Sequence, residues 1–185
     1  NAKELIRRLT NDAHFYLEEP LIDQLVTDLA TELGEVRPIE LQVVGAQLQR
    51  KTITTLEDYR KLGNHPKEKL VQSFLSSVVR DCGPENADLA NVVLYLLTDE
   101  DRDNRLYRPQ KTREELEEEL QLLGADCTED QLDLVLEILA NSGLVFMLSD
   151  IPLDRYQLVH DYLVSYVRQE QMSELLRPFK QAQGH

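Results

Sequence analysis

Leucine, isoleucine and valine recur at intervals of three or four residues along most of this 185-residue chain. Side chains at that spacing share one face of an α-helix, where they can pack into a core. Hydrophobic residues make up 42% of the chain, and only 7 Gly and 7 Pro interrupt it. We therefore predict a mostly α-helical fold. The clearest stripes are Leu21, Ile22, Leu25 and Leu29; Leu41, Val44 and Leu48; and Leu70, Val71, Phe74, Leu75 and Val78.

The expected helices have recognisable starts and ends. A Thr followed three residues later by Glu or Gln matches the capping box, in which both side chains accept hydrogen bonds from free backbone N–H groups. Pro suits the first turn of a helix, and Gly commonly follows the last. These signals predict capped starts at Thr54, Thr112 and Thr128, first turns at Pro20 and Pro38, and ends at Gly34, Gly63, Gly124 and Gly143.

The pattern changes after Gly143. Residues 144–148 are an apolar run too short for a helix, 149–154 have turn chemistry, and 156–159 alternate as a strand, so together they predict a β-hairpin. Two predicted helices, over about 112–123 and 128–142, precede the hairpin. Helix, turn, helix and hairpin is the order of elements in a winged helix.

A linker is predicted at residues 62–66, where Gly, Asn, His and Pro follow one another. It divides a helical domain over 1–65 from a winged-helix domain over 66–172, and leaves 173–185 as a tail or linker. The chain also begins without Met, inside a predicted helix, so we expect it to be part of a longer protein.

The excess of acidic residues in this chain disfavours binding to polyanions. Asp and Glu number 34 against 20 Lys and Arg, a formal net charge of -14. The predicted helix over 128–142 carries Glu129, Asp130, Asp133 and Glu137 and no base. A winged helix that reads DNA presents this second helix to the major groove, where phosphates would repel these acids. We therefore expect neither nucleic acid nor an anionic membrane as a partner.

The sequence lacks the motifs of an enzyme active site. It contains no G-x-x-x-x-G-K-[ST] phosphate loop, no H-E-x-x-H zinc motif and no G-x-S-x-G nucleophile motif. Cys82 and Cys127 are too few for a disulfide framework, and a reduced, cytoplasmic setting follows. The chain alone is predicted to hold no catalytic residue, metal or cofactor.

Bases gather in the segment from 102 to 113, which contains Arg102, Arg105, Arg108, Lys111 and Arg113 against the single acid Asp103. One interpretation is a solvated loop beside an acidic helix. The other is a docking site for an acidic surface of a partner.

The predicted strand ends and the last helix begins at His160 and Asp161. Asp161 is suited to cap the new helix. An imidazole at such a junction can donate a hydrogen bond to an anion. The residues alone favour a packed histidine over an anion-binding one.

Two short segments resemble motifs of the STAND-class signalling NTPases, which include the NB-ARC proteins. Val159-His160-Asp161 resembles their Met-His-Asp motif at the edge of a winged helix. The segment 37–45, which begins Arg-Pro-Ile-Glu-Leu, resembles the Gly-Leu-Pro-Leu-Ala-Leu segment that opens a helix of their lid domain. The resemblance extends from about 3 to 172 and is closest to bacterial members with WD-type repeats.

This resemblance implies a regulatory role. In the family a P-loop NTPase domain precedes this region and a repeat or sensor domain follows, and these are the implied partners, together with oligomerisation of the whole protein. The lid and winged helix close over ADP and hold an inactive state. The motif proline, here Pro38, lies near the adenine, and the motif histidine, here His160, hydrogen-bonds the β-phosphate. The resemblance also implies that the whole protein, rather than this chain alone, binds ADP or ATP with Mg as its cofactor.

The alternative is a free-standing winged-helix transcription regulator that binds DNA. The acidic helix over 128–142 argues against it.

Overall fold

The computed structural model describes residues 2–30, 36, 38–149 and 151–169, apart from the side chains of Pro38 and Ile39. It is mostly helical, with 62% helix and a few short antiparallel strands in two small sheets, which confirms the predicted fold class at this level. The chain divides into two compact units, Asn1–Phe74 and Leu75–His185.

The first unit is built from helices whose apolar stripes face one another. Its helices are α1 (Ala2–Asp12), α2 (Glu19–Leu29), α3 (Pro38–Arg50), α4 (Leu56–Arg60) and the beginning of α5 (Pro66–Asp81). The predicted stripes on α2 and α3 are buried in one hydrophobic cluster, as expected from their spacing. Further members of that cluster are Ile6, Ile53, Tyr59 and Leu70.

Tyr59 brings a polar group into this core. Its side chain is 1% exposed, and its hydroxyl donates to Asp28 Oδ2 at 2.6 Å. The other oxygen of that carboxylate accepts from Gln24 Nε2 at 2.8 Å. Burial and the neighbouring carboxylate both disfavour the phenolate, so they raise the pKa of Tyr59 well above its ordinary value.

The second unit contains the remainder of α5, a short 3₁₀ turn (Pro84–Asn86), and an alternation of strands and helices. In chain order these are α6 (Ala87–Leu96), β1 (Asp99–Glu100), β2 (Leu106–Tyr107), β3 (Lys111–Thr112), α7 (Arg113–Leu122), α8 (Glu129–Asn141), β4 (Val145–Leu148) and β5 (Arg155–Leu158). Residues 162–169 are again helical.

Two antiparallel sheets form in this unit. Strands β1 and β2 pair as a hairpin, while the other sheet has the order β3-β5-β4, so the last strand lies in the middle. In it Val145 pairs with Leu158, and Lys111 pairs with Tyr156. Helix α8 packs on β4 and α6, and α6 also contacts α7. Leucines at the centre of these contacts, such as Leu94, Leu116 and Leu139, are fully buried.

Most predicted boundaries are confirmed, with some corrections. Thr112 and Thr128 form complete capping boxes, but Thr55, rather than Thr54, caps α4 by accepting from Asp58 N. The helix predicted over about 112–123 ends at Leu122 as α7, and Leu123, its C-cap residue, is 47% exposed. Gly63, Gly124 and Gly143 adopt positive φ after helices as predicted, and Gly34 lies outside the described residues.

The division between the two compact units falls inside α5, between Phe74 and Leu75. Residues 62–65 of the predicted linker are non-helical, whereas Pro66, which the prediction included in it, is the first residue of α5. However, Leu70 on α5 packs into the core of the first unit, so the start of that helix belongs to it. The proposed domains 1–65 and 66–172, and the tail 173–185, stay predictions. Among the described residues, no helix is both long and apolar enough to span a bilayer.

We expect Tyr59→Phe to lower the free energy of unfolding by about 1.5–3 kcal/mol, because it removes a hydrogen bond to a charged group inside the core. Urea denaturation at neutral pH measures this. Tyr16→Phe is the matched control, since Tyr16 is 67% exposed and should change stability by less than about 0.5 kcal/mol. Equal effects of the two variants would show that the buried hydrogen bond contributes nothing.

The contribution of Tyr59 to the free energy of unfolding should depend on pH in the alkaline range. Because folding raises the pKa of Tyr59, its contribution is complete below the unfolded value of about 10 and declines as the pH rises above it. The stability difference between wild type and Tyr59→Phe should therefore shrink above about pH 10. Unfolding curves of both proteins across that range measure it, and a difference that grows with pH would contradict the assignment.

Candidate functional site

The junction between β5 and the helical residues 162–169 is the candidate site. Leu158 and Val159, the residues before the junction, are buried. Val159 N donates to Leu144 O at 2.9 Å, which continues the pairing of the hairpin past the last residue of β5. His160 and Asp161 follow, and Asp161 is exposed while His160 is half-buried. The change from strand to helix therefore occurs at the two predicted residues.

The backbone of His160 and Asp161 opens the first turn of the helical residues 162–169. Its carbonyl accepts from Leu163 N at 3.2 Å, and the Asp161 carbonyl accepts from Val164 N at 3.1 Å. The imidazole stacks on the Tyr162 ring, with 5.8 Å between the ring centroids. The imidazole is thus half-buried and lies against the ring of Tyr162.

A side chain from a distant segment holds this junction. Arg108 Nη1 donates to the carbonyl oxygens of Leu158, at 2.8 Å, and Val159, at 2.9 Å. Arg108 Nε donates to Asp161 Oδ1 at 2.7 Å. In the opposite direction, Gln157 Nε2 donates to the carbonyl of Arg108 at 2.9 Å. The Asp161 carboxylate, predicted to cap the helix, is thus engaged by Arg108.

Two further bases of the 102–113 segment bind acids of their own unit. Lys111 Nζ lies 2.8 Å from Glu119 Oε2 on α7. Arg113 pairs with Glu117 on α7 and with Asp133 on α8. Neither interpretation of this segment, solvated loop or docking site for an acidic partner, anticipated these contacts. The bases compensate the acidic helices that follow them in the same chain.

The exposed surface of α8 is acidic. Asp130, Asp133 and Glu137 are all exposed, and Leu134 between them is 43% exposed. No Lys or Arg occurs on this helix. The exposed face of α8 is therefore negatively charged and would repel the phosphates of a nucleic acid.

The two thiols are poorly suited to nucleophilic chemistry. Burial raises the pKa of the Cys82 thiol, and burial with nearby Glu117 raises that of Cys127. A reactive cysteine requires a lowered pKa, because the thiolate is the nucleophile. Among the described residues, no group of three or more His, Cys, Asp or Glu is placed to hold a metal ion.

The two predicted nucleotide-binding residues belong to different units of the fold. Pro38 is the first residue of α3, as predicted, and its side chain is outside the described part of the structure. Glu40, in the first turn of the same helix, is 6% exposed and pairs with Lys67 Nζ at 3.2 Å. His160 lies in the second unit.

No protein-family model, curated protein or solved structure matches this chain.

We expect this chain not to bind random duplex DNA at micromolar concentration, even at about 50 mM salt, where attraction to phosphates is strongest. Fluorescence anisotropy with a labelled duplex measures this. The double variant Asp130→Lys with Glu137→Lys is the control, since it reverses charge on the exposed face of α8. Micromolar binding by the wild type would overturn the electrostatic argument.

Proposed function

We propose that this chain is the nucleotide-sensing, autoinhibitory arm of a STAND-type signal-transduction NTPase, made of a helical lid-like domain and a winged-helix domain. The observation that carries the proposal is the position of His160 and Asp161. They stand directly after the middle strand of the β3-β5-β4 sheet, where a helix begins. Val159-His160-Asp161 resembles the Met-His-Asp motif of that family, which lies at the edge of a winged helix.

The element order supports the winged-helix part of the proposal. A short strand, two helices and a hairpin follow one another as β3, α7, α8, β4 and β5. The final strand, β5, lies in the middle of the sheet, between β3 and β4. This arrangement, with α6 preceding it, supports a winged helix in which the β4–β5 hairpin would be the wing.

The residues at the junction are compatible with a phosphate ligand. His160 is half-buried and offers an imidazole that can donate to an anion. When bound, ADP would supply the β-phosphate as that anion, and ATP hydrolysis would require the P-loop and Mg ligands of a preceding domain. The chain itself is proposed to hold a closed state rather than to catalyse. Its partners would be that NTPase domain and a following repeat or sensor domain in a cytoplasmic protein.

DNA binding by a winged-helix regulator is the alternative function. The acids on the exposed face of α8 oppose it, since they would face the phosphates. No contact in the described residues favours it.

The test of the proposal is His160→Ala in the protein that joins this chain to its nucleotide-binding domain. A hydrogen bond to a charged group contributes about 1.5–3 kcal/mol. Its loss from the ADP-bound state should shift the closed–open balance roughly 10- to 150-fold towards open. We expect weaker ADP binding, measured by calorimetry, and easier activation. Thermal unfolding of the chain alone should change little.

His65→Ala is the matched control, because His65 is exposed in the first unit. It should leave both ADP affinity and melting temperature unchanged. If His160→Ala instead lowers the melting temperature by several degrees while ADP affinity stays level, His160 is a packing residue and the proposed function loses its main support.

A further inference from the structure

Arg108 precedes β3, in the stretch of chain that would lie beside the end of β5 if the pairing of these two strands continued. The register pairs Lys111 with Tyr156 and Thr112 with Arg155. Continuing that register back along the chain sets Pro109 opposite Leu158 and Arg108 opposite Val159. Pro has no backbone N–H and cannot donate to a neighbouring strand. Pro109 therefore offers no N–H to the carbonyl of Leu158 opposite it, so this carbonyl, like that of Val159 after it, accepts from other donors.

The side chain of Arg108 supplies those donors. Its Nη1 reaches both carbonyls, and its Nε reaches the Asp161 carboxylate. Leu158 and Val159 are buried, and a buried acceptor without a partner is costly. The three acceptors surround His160 in sequence, two before it and one after it. A planar guanidinium with several donors in fixed directions can hold all three, whereas a lysine ammonium is a single point charge.

The backbone of Arg108 is fixed as well. Gln157 Nε2 on β5 donates to its carbonyl. On its other side, the β1–β2 hairpin immediately precedes it, and Asp101 closes that hairpin by accepting from Asp103 N and Arg105 N. The backbone and the guanidinium of Arg108 are thus both tied to ordered structure, and the side chain is only 28% exposed. Because its backbone and its guanidinium are both held, Arg108 can fix the position of the groups that it bonds to.

We propose that Arg108 is the positioning residue for His160, fixing the strand-to-helix junction so that the imidazole meets a phosphate in a set direction. This inference rests on the proposed function for its phosphate, but the positioning itself concerns this chain alone. Arg108 acts through His160 and does not itself bind the nucleotide.

The first experiment measures the junction in this chain by amide hydrogen exchange. In Arg108→Ala the amides of Leu163 and Val164, which bond to the carbonyls of His160 and Asp161, should exchange at least tenfold faster than in wild type. Arg105→Ala is the matched control, an exposed base of the same segment, and should leave them unchanged. Unchanged protection in Arg108→Ala would overturn the proposal. If that variant does not fold, Arg108→Lys replaces it and should give intermediate protection; wild-type protection would overturn the proposal.

The second experiment is a double-mutant cycle on ADP affinity in the protein that carries the nucleotide-binding domain. Arg108→Ala should weaken ADP binding by no more than the roughly 10- to 150-fold expected of His160→Ala, and should have no further effect when His160 is already Ala. Additive losses would show that Arg108 acts independently and would overturn the positioning role. If His160→Ala has no effect on ADP while the exchange result holds, the proposed function fails and the positioning of the junction stands.

Discussion

Six residues, Arg108 to Arg113, connect most elements of the second unit. Arg108 binds the junction after β5, Lys111 binds Glu119 on α7, and Arg113 binds Asp133 on α8. Between them, Thr112 caps α7, and β3 pairs with β5. Exposed ion pairs contribute little to stability, but the side chain of Lys111 is only 14% exposed, so its charge is poorly solvated and depends on its partner. The two acidic helices and the sheet are held in register by this one basic segment.

The ion pairs and hydrogen bonds of these basic residues affect which charges of the second unit remain exposed on its surface. The cations of the segment from 108 to 113 are directed inward, to acceptors within the fold, while acids such as Asp130 and Glu137 remain on the surface. These acids make the exposed face of α8 negative, and the whole sequence carries a formal net charge of -14. An arrangement of this kind suits contacts with other protein domains better than contacts with a polyanion. It is compatible with the proposed function, in which the nucleotide contact is made by His160.

The first unit uses buried polar pairs in a comparable way. Tyr59 on α4 bonds to Asp28 on α2, and Glu40 on α3 bonds to Lys67 on α5. Each pair joins two helices that the hydrophobic stripes alone would allow to slide past one another. A buried charge without its partner is strongly unfavourable, so such pairs select one packing over others even where their net contribution to stability is small. Glu40 lies in the same helical turn as Pro38, and the helix proposed to approach the nucleotide is therefore fixed to α5.

The sequence by itself determined which segments are helical and where most of them begin, because helix formation and capping depend on residues close together in the chain. The stripes through Leu25 on α2 and Val44 on α3 need only a period of three to four residues, and the capping boxes at Thr112 and Thr128 span a single turn. The hairpin after Gly143 and the junction at His160 follow from equally short signals. Only the tertiary structure decided that Thr55 rather than Thr54 caps α4, that β1, β2 and β3 exist, and that Arg108 holds the junction. Strands of two residues carry no periodicity, and the contact between Arg108 and Asp161 joins positions far apart in the chain. Such a contact depends on where the whole sheet brings the backbone, which no local pattern encodes.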